Sequence, residues 1–245
     1  TPANKFIAAI VIVAAPFAMG AFFLAWSPAS QYENSDPKHD GYVQPRSIEQ
    51  LVERTQDSTV TVYCRTGKGS VSQGTAWAID LENGKDEKYP TSLITNHHVI
   101  EDCIPAGGKL TVAELFKKEV PAEIIKWDKK NDLAVLATGL KLKTLELSKS
   151  DPWPGYWVMA LGSADGYEGS VAFGSVLNTN QYELLITANT SHGNSGGPLV
   201  DNEGKVVGTV SWSSTKEQYN GAMSLNAMCR KIIECDGKYY WDYEE

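Results

Sequence analysis

Residues 6–26, FIAAIVIVAAPFAMGAFFLAW, hold no charged side chain. Wound as a helix, such a run spans about 31 Å, the thickness of a bilayer's hydrocarbon core. The pattern predicts a membrane anchor over residues 1–26. Pro16 and Gly20 are compatible with a spanning helix, and Lys5 with the adjacent amino terminus favours a cytoplasmic N-terminal end. A cleaved secretory signal is the alternative, because Ser27-Pro28-Ala29 offers a small-x-small site. Either way the remainder of the chain is expected on the far side of a membrane. Residues 27–46, SPASQYENSDPKHDGYVQPR, are polar, proline-containing and aperiodic, which predicts a linker.

From Ser58 the texture changes to short β-rich runs broken by turn residues. TVTVYC, GTAWAI, TSLIT, KLTVAEL, AEIIKW and DLAVLAT come first. After the Pro- and Gly-bearing stretch KSDPWPG (149–155) follow YWVMALG, SVAFGSVLN, YELLITA, GPLVD, KVVGTVSW and GAMSL. Two sets of this size predict an all-β protein of two six-stranded antiparallel β-barrels, over residues 47–148 and 149–245. Asn83-Gly84 and Asn202-Glu203-Gly204 supply residues that tolerate the positive φ of hairpin turns. The last periodic segment, LNAMCRKIIEC, places Leu225, Met228, Ile232 and Ile233 on one side of a predicted C-terminal helix.

Composition narrows the function. The net charge of −8, with no Lys/Arg cluster, disfavours nucleic acid, whose phosphates demand cations. Four cysteines without a CxxC spacing, and few histidines, point away from a zinc site and toward two disulfides in an oxidising compartment. Cys64, Cys103, Cys229 and Cys235 allow three pairings, and spacing alone does not choose among them.

Candidate chemistry is concentrated in SHGNSGGPLV, residues 191–200. Glycines on both sides of Ser195 let the backbone bend so that its hydroxyl projects and the amides of Gly193 and Ser195 converge on one point, as an oxyanion requires. A serine needs a base and a group to orient that base. His97-His98 after TSLIT, and Asp132 at the head of DLAVLAT, supply candidates. Asp128, beside Lys129 and Lys130, reads as a solvated turn carboxylate. His39 falls in the linker and is assigned no role.

In TNHHV, NDLAVL, YWVMALGSADG and GNSGGPL, taken in this order, the chain resembles the trypsin-like serine proteases of the chymotrypsin fold, and among them the HtrA-type bacterial branch. The resemblance implies a serine endopeptidase without a cofactor or metal, acting on proteins or peptides. His98 would be the general base, Asp132 its orienting group and Ser195 the nucleophile. Gly193 and Ser195 would form the oxyanion hole. His97 occupies a position the family leaves variable, which implies a side chain that serves the turn. Ser211-Trp212-Ser213 resembles the strand that pairs with substrate, and by offset from Ser195 the primary pocket would have Asn189 at its base, with Thr190 beside it and Ser213 and Gly221 on its walls. Its neutrality implies cleavage after small or medium uncharged residues. His192 stands where the branch commonly has Pro and reads as a rim residue. The resemblance also favours the pairings Cys64–Cys103 and Cys229–Cys235. With nothing printed after Glu245, a branch lacking the PDZ module is expected. Location outside the cytoplasmic membrane, anchored or secreted, completes the expectation. A membrane-tethered pseudoprotease that binds extended peptides without cutting them is the alternative.

Overall fold

The computed structural model describes residues 47–233 apart from 68, 82–87, 106, 150 and 151, together with 45 and 235. The expected anchor and most of the linker lie outside the described residues. Among those described, no helix is long and apolar enough to cross a membrane.

A helix, α1 (Ile48–Gln56), precedes the first barrel and buries Leu51 and Thr55. The first barrel comprises β1 (Thr59–Arg65), β2 (Val71–Ile79), β3 (Thr91–Thr95), β4 (Lys109–Glu114), β5 (Val120–Asp128) and β6 (Leu133–Thr138). It closes in the order β1-β2-β3-β6-β5-β4. The second comprises β7 (Trp157–Ala164), β8 (Tyr167–Thr179), β9 (Glu183–Ile186), β10 (Pro198–Val200), β11 (Val206–Ser213) and β12 (Asn220–Ser224), and closes as β10-β11-β12-β9-β8-β7. Both barrels are antiparallel throughout, as the alternating runs predicted.

Strand alternation sorts the side chains into three apolar cores. Val60, Val62, Ala76, Ala78, Leu93 and Leu136 fill the first barrel. Val158, Ala160, Leu184, Ile186, Leu199 and Val210 fill the second. The residues between them in sequence face outward yet are also buried, because Trp77, Ile94, Leu133 and Val135 meet Met159, Val206 and Met223 in a layer between the barrels. This is why β3 and β6 read as continuous apolar runs: each has one face in a barrel and the other in the interbarrel layer. The Trp77 indole is fully buried there and donates to Thr209 Oγ1 at 3.1 Å.

The C-terminal helix is shorter and wound differently from the expectation. One α turn, α2 (Leu225–Met228), is capped by Ser224 Oγ, which accepts from Ala227 N at 3.0 Å. A π turn over Cys229–Ile233 continues it. Its apolar side, Leu225, Met228, Cys229, Ile232 and Ile233, closes the interbarrel layer.

Candidate active site

The two histidines part company at the end of β3. His97 turns inward and is 4% exposed, whereas His98, one residue further round a single helical turn (His97–Ile100), is exposed. The His98 ring meets Asp132 through Nδ1 and Oδ2 at 2.8 Å, and the His98 backbone N–H donates to Asp132 Oδ1 at 3.0 Å. Asp132 sits at φ +50° just before β6, a left-handed position at the mouth of a tight turn. That turn is held by Asp128, which accepts from the backbone of Lys130 and Asn131 and from the Asn131 side chain. Asn96 Nδ2 donates to Asp132 O at 2.8 Å and ties the histidine turn to the aspartate turn.

Ser211 Oγ donates to Asp132 Oδ2 at 2.6 Å. Burial pushes the Asp132 carboxyl upward, but hydrogen bonds and charge from the His98 ring, the Ser211 hydroxyl and the His98 amide outweigh it and hold the group below the ordinary carboxylate value. Asp132 is therefore held in its ionised form beside the His98 ring.

Ser195 lies in a loop bent by two successive turns, Asn194 N donating to Ser191 O at 3.1 Å and Gly197 N to Asn194 O at 2.9 Å. Gly193 has φ +93°, and a Cβ there would lie 2.1 Å from Ser163 O, so no other residue fits. The His192 carbonyl accepts from Asp165 N at 2.6 Å. In a trans peptide the N–H of the next residue points opposite to that carbonyl, so the Gly193 amide is turned away from the β7–β8 hairpin. Neither the Gly193 nor the Ser195 N–H has an acceptor among the described residues. In this resting arrangement Ser195 Oγ donates to Ser211 O at 3.2 Å, and no hydrogen bond joins it to His98.

The loop is held from the other barrel by Thr75 of β2. Thr75 N donates to Ser195 O at 2.8 Å, and Thr75 Oγ1 donates to Gly193 O at 2.6 Å while accepting from Ser163 N at 3.0 Å. Thr95 Oγ1 donates to Thr75 O at 2.7 Å and fixes Thr75 in turn. Sequence reasoning missed this residue: in GTAWAI it is one more alternating strand position, and nothing local marks it.

The residues expected to line the primary pocket differ in exposure. Asn189 is exposed, and Thr190, 5% exposed, is the enclosed member, with Oγ1 2.9 Å from Ser213 Oγ. The half-buried Trp212 lays its indole over Gly221, where a Cβ would clash at 2.1 Å, and meets Tyr219 edge-on. His192 is exposed at the rim.

Residues 74–208 match the family model described as trypsin-like peptidase domain. The chain belongs to this family. It is 35% identical over 144 residues to a probable periplasmic serine endoprotease, DegP-like, of Ectopseudomonas mendocina, a match covering 55% of this chain and 29% of that protein. It is 30% identical over 213 residues to the anti-sigma-I factor RsgI9 of Acetivibrio thermocellus, covering 84% of this chain and 28% of that protein. The chain thus spans less than a third of these relatives' lengths. The crystal structure of the serine endoprotease from Yersinia pestis superposes with a TM-score of 0.65 at 27% identity, covering 78% of this chain and 67% of that one.

Within this trypsin-like peptidase domain, two disulfides flank functional elements. Cys64 on β1 is bonded to Cys103, five residues beyond His98, and Cys229 to Cys235 at the end of the C-terminal turns. The first ties the histidine turn to the barrel wall.

Proposed function

We propose that the chain hydrolyses peptide bonds of proteins outside the cytoplasmic membrane, with Ser195 as nucleophile, His98 as general base and Asp132 as the group that orients His98. The observation that carries this reading is the double contact of Asp132 with the His98 ring and backbone, which commits Nδ1 and leaves Nε2 for the serine. Rotation of the Ser195 side chain exchanges Ser211 O for His98 Nε2. Its oxygen then attacks the substrate carbonyl carbon as the proton passes to Nε2. The oxyanion that forms is received by the Gly193 and Ser195 amides, which have no acceptor among the described residues. Collapse expels the amine, which takes the proton from His98, and water releases the acyl group by the same steps in reverse.

The substrate chain runs antiparallel to Ser211-Trp212-Ser213, adding a strand to β11. No cofactor enters these steps. An extracytoplasmic location is supported by the two disulfides, by the apolar N-terminal run, which we read as an anchor or a signal segment, and by the periplasmic designation of the DegP-like relatives. A fluorophosphonate probe tests the reading. Wild type should be labelled and Ser195→Ala should not; an unlabelled wild type that still binds extended peptides would favour the pseudoprotease.

A further inference from the structure

Ser195 Oγ rests on Ser211 O, and two residues further along β11 Ser213 meets Thr190 and the start of β12. Asn220 opens β12, paired on one side with Ser213 and on the other with Ile186. It is 5% exposed, and its Nδ2 donates to Ala188 O at 2.8 Å. Together with the Thr190–Ser213 hydroxyl contact, this bond ties residues 188–190 to both strands.

The orientation of the Asn220 amide follows from its partner. A carbonyl oxygen is met by the NH2 group, so Oδ1 is the free end. Among the described residues nothing donates to Oδ1, and it is not one of the sealed, partnerless polar atoms, which are Gln73 Nε2, Asn96 Oδ1 and Asn194 Oδ1. Asn220 Oδ1 is therefore an open acceptor. The paired hydroxyls of Thr190 and Ser213 carry two protons and use one between them, which leaves one to donate. Because Asn220 pairs with Ser213, this neutral acceptor and this neutral donor stand on facing positions of adjacent strands.

We propose that Asn220 determines the specificity of the primary pocket, which takes a short hydroxyl side chain, Ser or Thr, on the acyl side of the scissile bond. The substrate hydroxyl donates to Asn220 Oδ1 and accepts from the Thr190–Ser213 pair. A valine of the same shape strands both groups, and a lysine or arginine finds no carboxylate. Longer side chains meet the Asn220 bridge to Ala188. The inference rests on the peptidase reading above and adds the substrate class to it.

The test compares two peptides that differ only in Thr or Val before the scissile bond. Wild type is expected to favour Thr by about tenfold or more in kcat/KM, because a site built to bond a hydroxyl discriminates against its isostere. Asn220→Leu should bring the ratio near one, and labelling of the same preparation by a small alkyl fluorophosphonate reports whether its serine is still reactive. Equal rates for Thr and Val in wild type, or an unchanged preference in an Asn220→Leu protein that labels normally, overturns the proposal. So does a wild type that labels but cleaves neither peptide. If Asn220→Leu does not fold, Asn220→Ala decides: it should lose the preference and gain cleavage after Leu, and retained preference for Thr counts against the role. Absence of labelling in wild type instead overturns the peptidase reading itself.

Discussion

Replacing Thr75 by Val removes one oxygen and keeps the side-chain shape, so the core is not opened. Two buried groups lose their partner, the Gly193 carbonyl and the Ser163 amide, while the backbone bonds of Thr75 to Ser195 and Thr95 persist. Leaving both unpaired in place costs about 2–6 kcal/mol, at roughly 1–3 for each group. That is a large share of a typical folding free energy of about 5–15 kcal/mol, so the loop is expected to shift rather than bear the full cost. A shift that withdraws one oxyanion donor lowers kcat by about 10²–10³. We therefore expect Thr75→Val to lose one to three orders of magnitude in kcat, with KM changed by no more than a few-fold, and Thr75→Ser, which restores the oxygen, to return near wild type. Steady-state kinetics on one peptide, with urea unfolding of the same preparations, provides the check. A folded Thr75→Val enzyme within about threefold of wild-type kcat would refute the role assigned to this bond.

Ser195→Ala, His98→Ala and Asp132→Asn should each reduce peptide cleavage by roughly three orders of magnitude or more, while His97→Ala does far less; a dead His97 variant beside an active His98 variant would reverse the assignment of the base. Because the folded Asp132 carboxyl is held low, its stabilising contribution is present above the ordinary value of 3.8 and is lost as pH falls through the folded value, so the stability gap between wild type and Asp132→Asn, followed by urea unfolding, should narrow in acid. Asp201 has the opposite sign. Burial raises its carboxyl despite bonds from the Lys205 and Glu203 amides and the Ser148 hydroxyl, so stability declines as pH rises through the folded value. Asp201→Asn keeps an oxygen for both amides and should therefore be at least as stable as wild type at pH 7, a difference that closes toward acid; a marked loss at pH 7 would contradict this. Non-reducing peptide mapping should find Cys64–Cys103 and Cys229–Cys235. Removing the first, which bridges 39 residues, should lower unfolding free energy by about 4 kcal/mol, and removing the second, across 6, by about 2. Four freely alkylated thiols in protein taken from its native envelope would count against both bonds and the compartment.

The twelve strands of the described residues were legible in the sequence because short runs rich in β-branched and apolar residues stand between Gly, Asn and Pro, which mark where the chain must turn. The serine loop was legible for a similar reason: Gly193 and Gly196 stand where the backbone has positive φ and no room for a Cβ. Pattern could not say what covers the outer face of β3 or β6, since Ile94 and Leu133 are apolar on a face that a lone barrel would expose. Docking of the second barrel decided it. The same docking brought Thr75 to Gly193 across 118 positions and Ser211 to Asp132 across 79. It is also in the tertiary structure that Thr190 is enclosed while Asn189 is exposed, and that Asn220 reaches Ala188 just past the end of β9. Local rules act over one turn or one strand, where a few dihedrals limit the choices. Which polar atoms face each other across two closed barrels depends on how their sheets shut and seat, and no run of neighbouring residues carries that information.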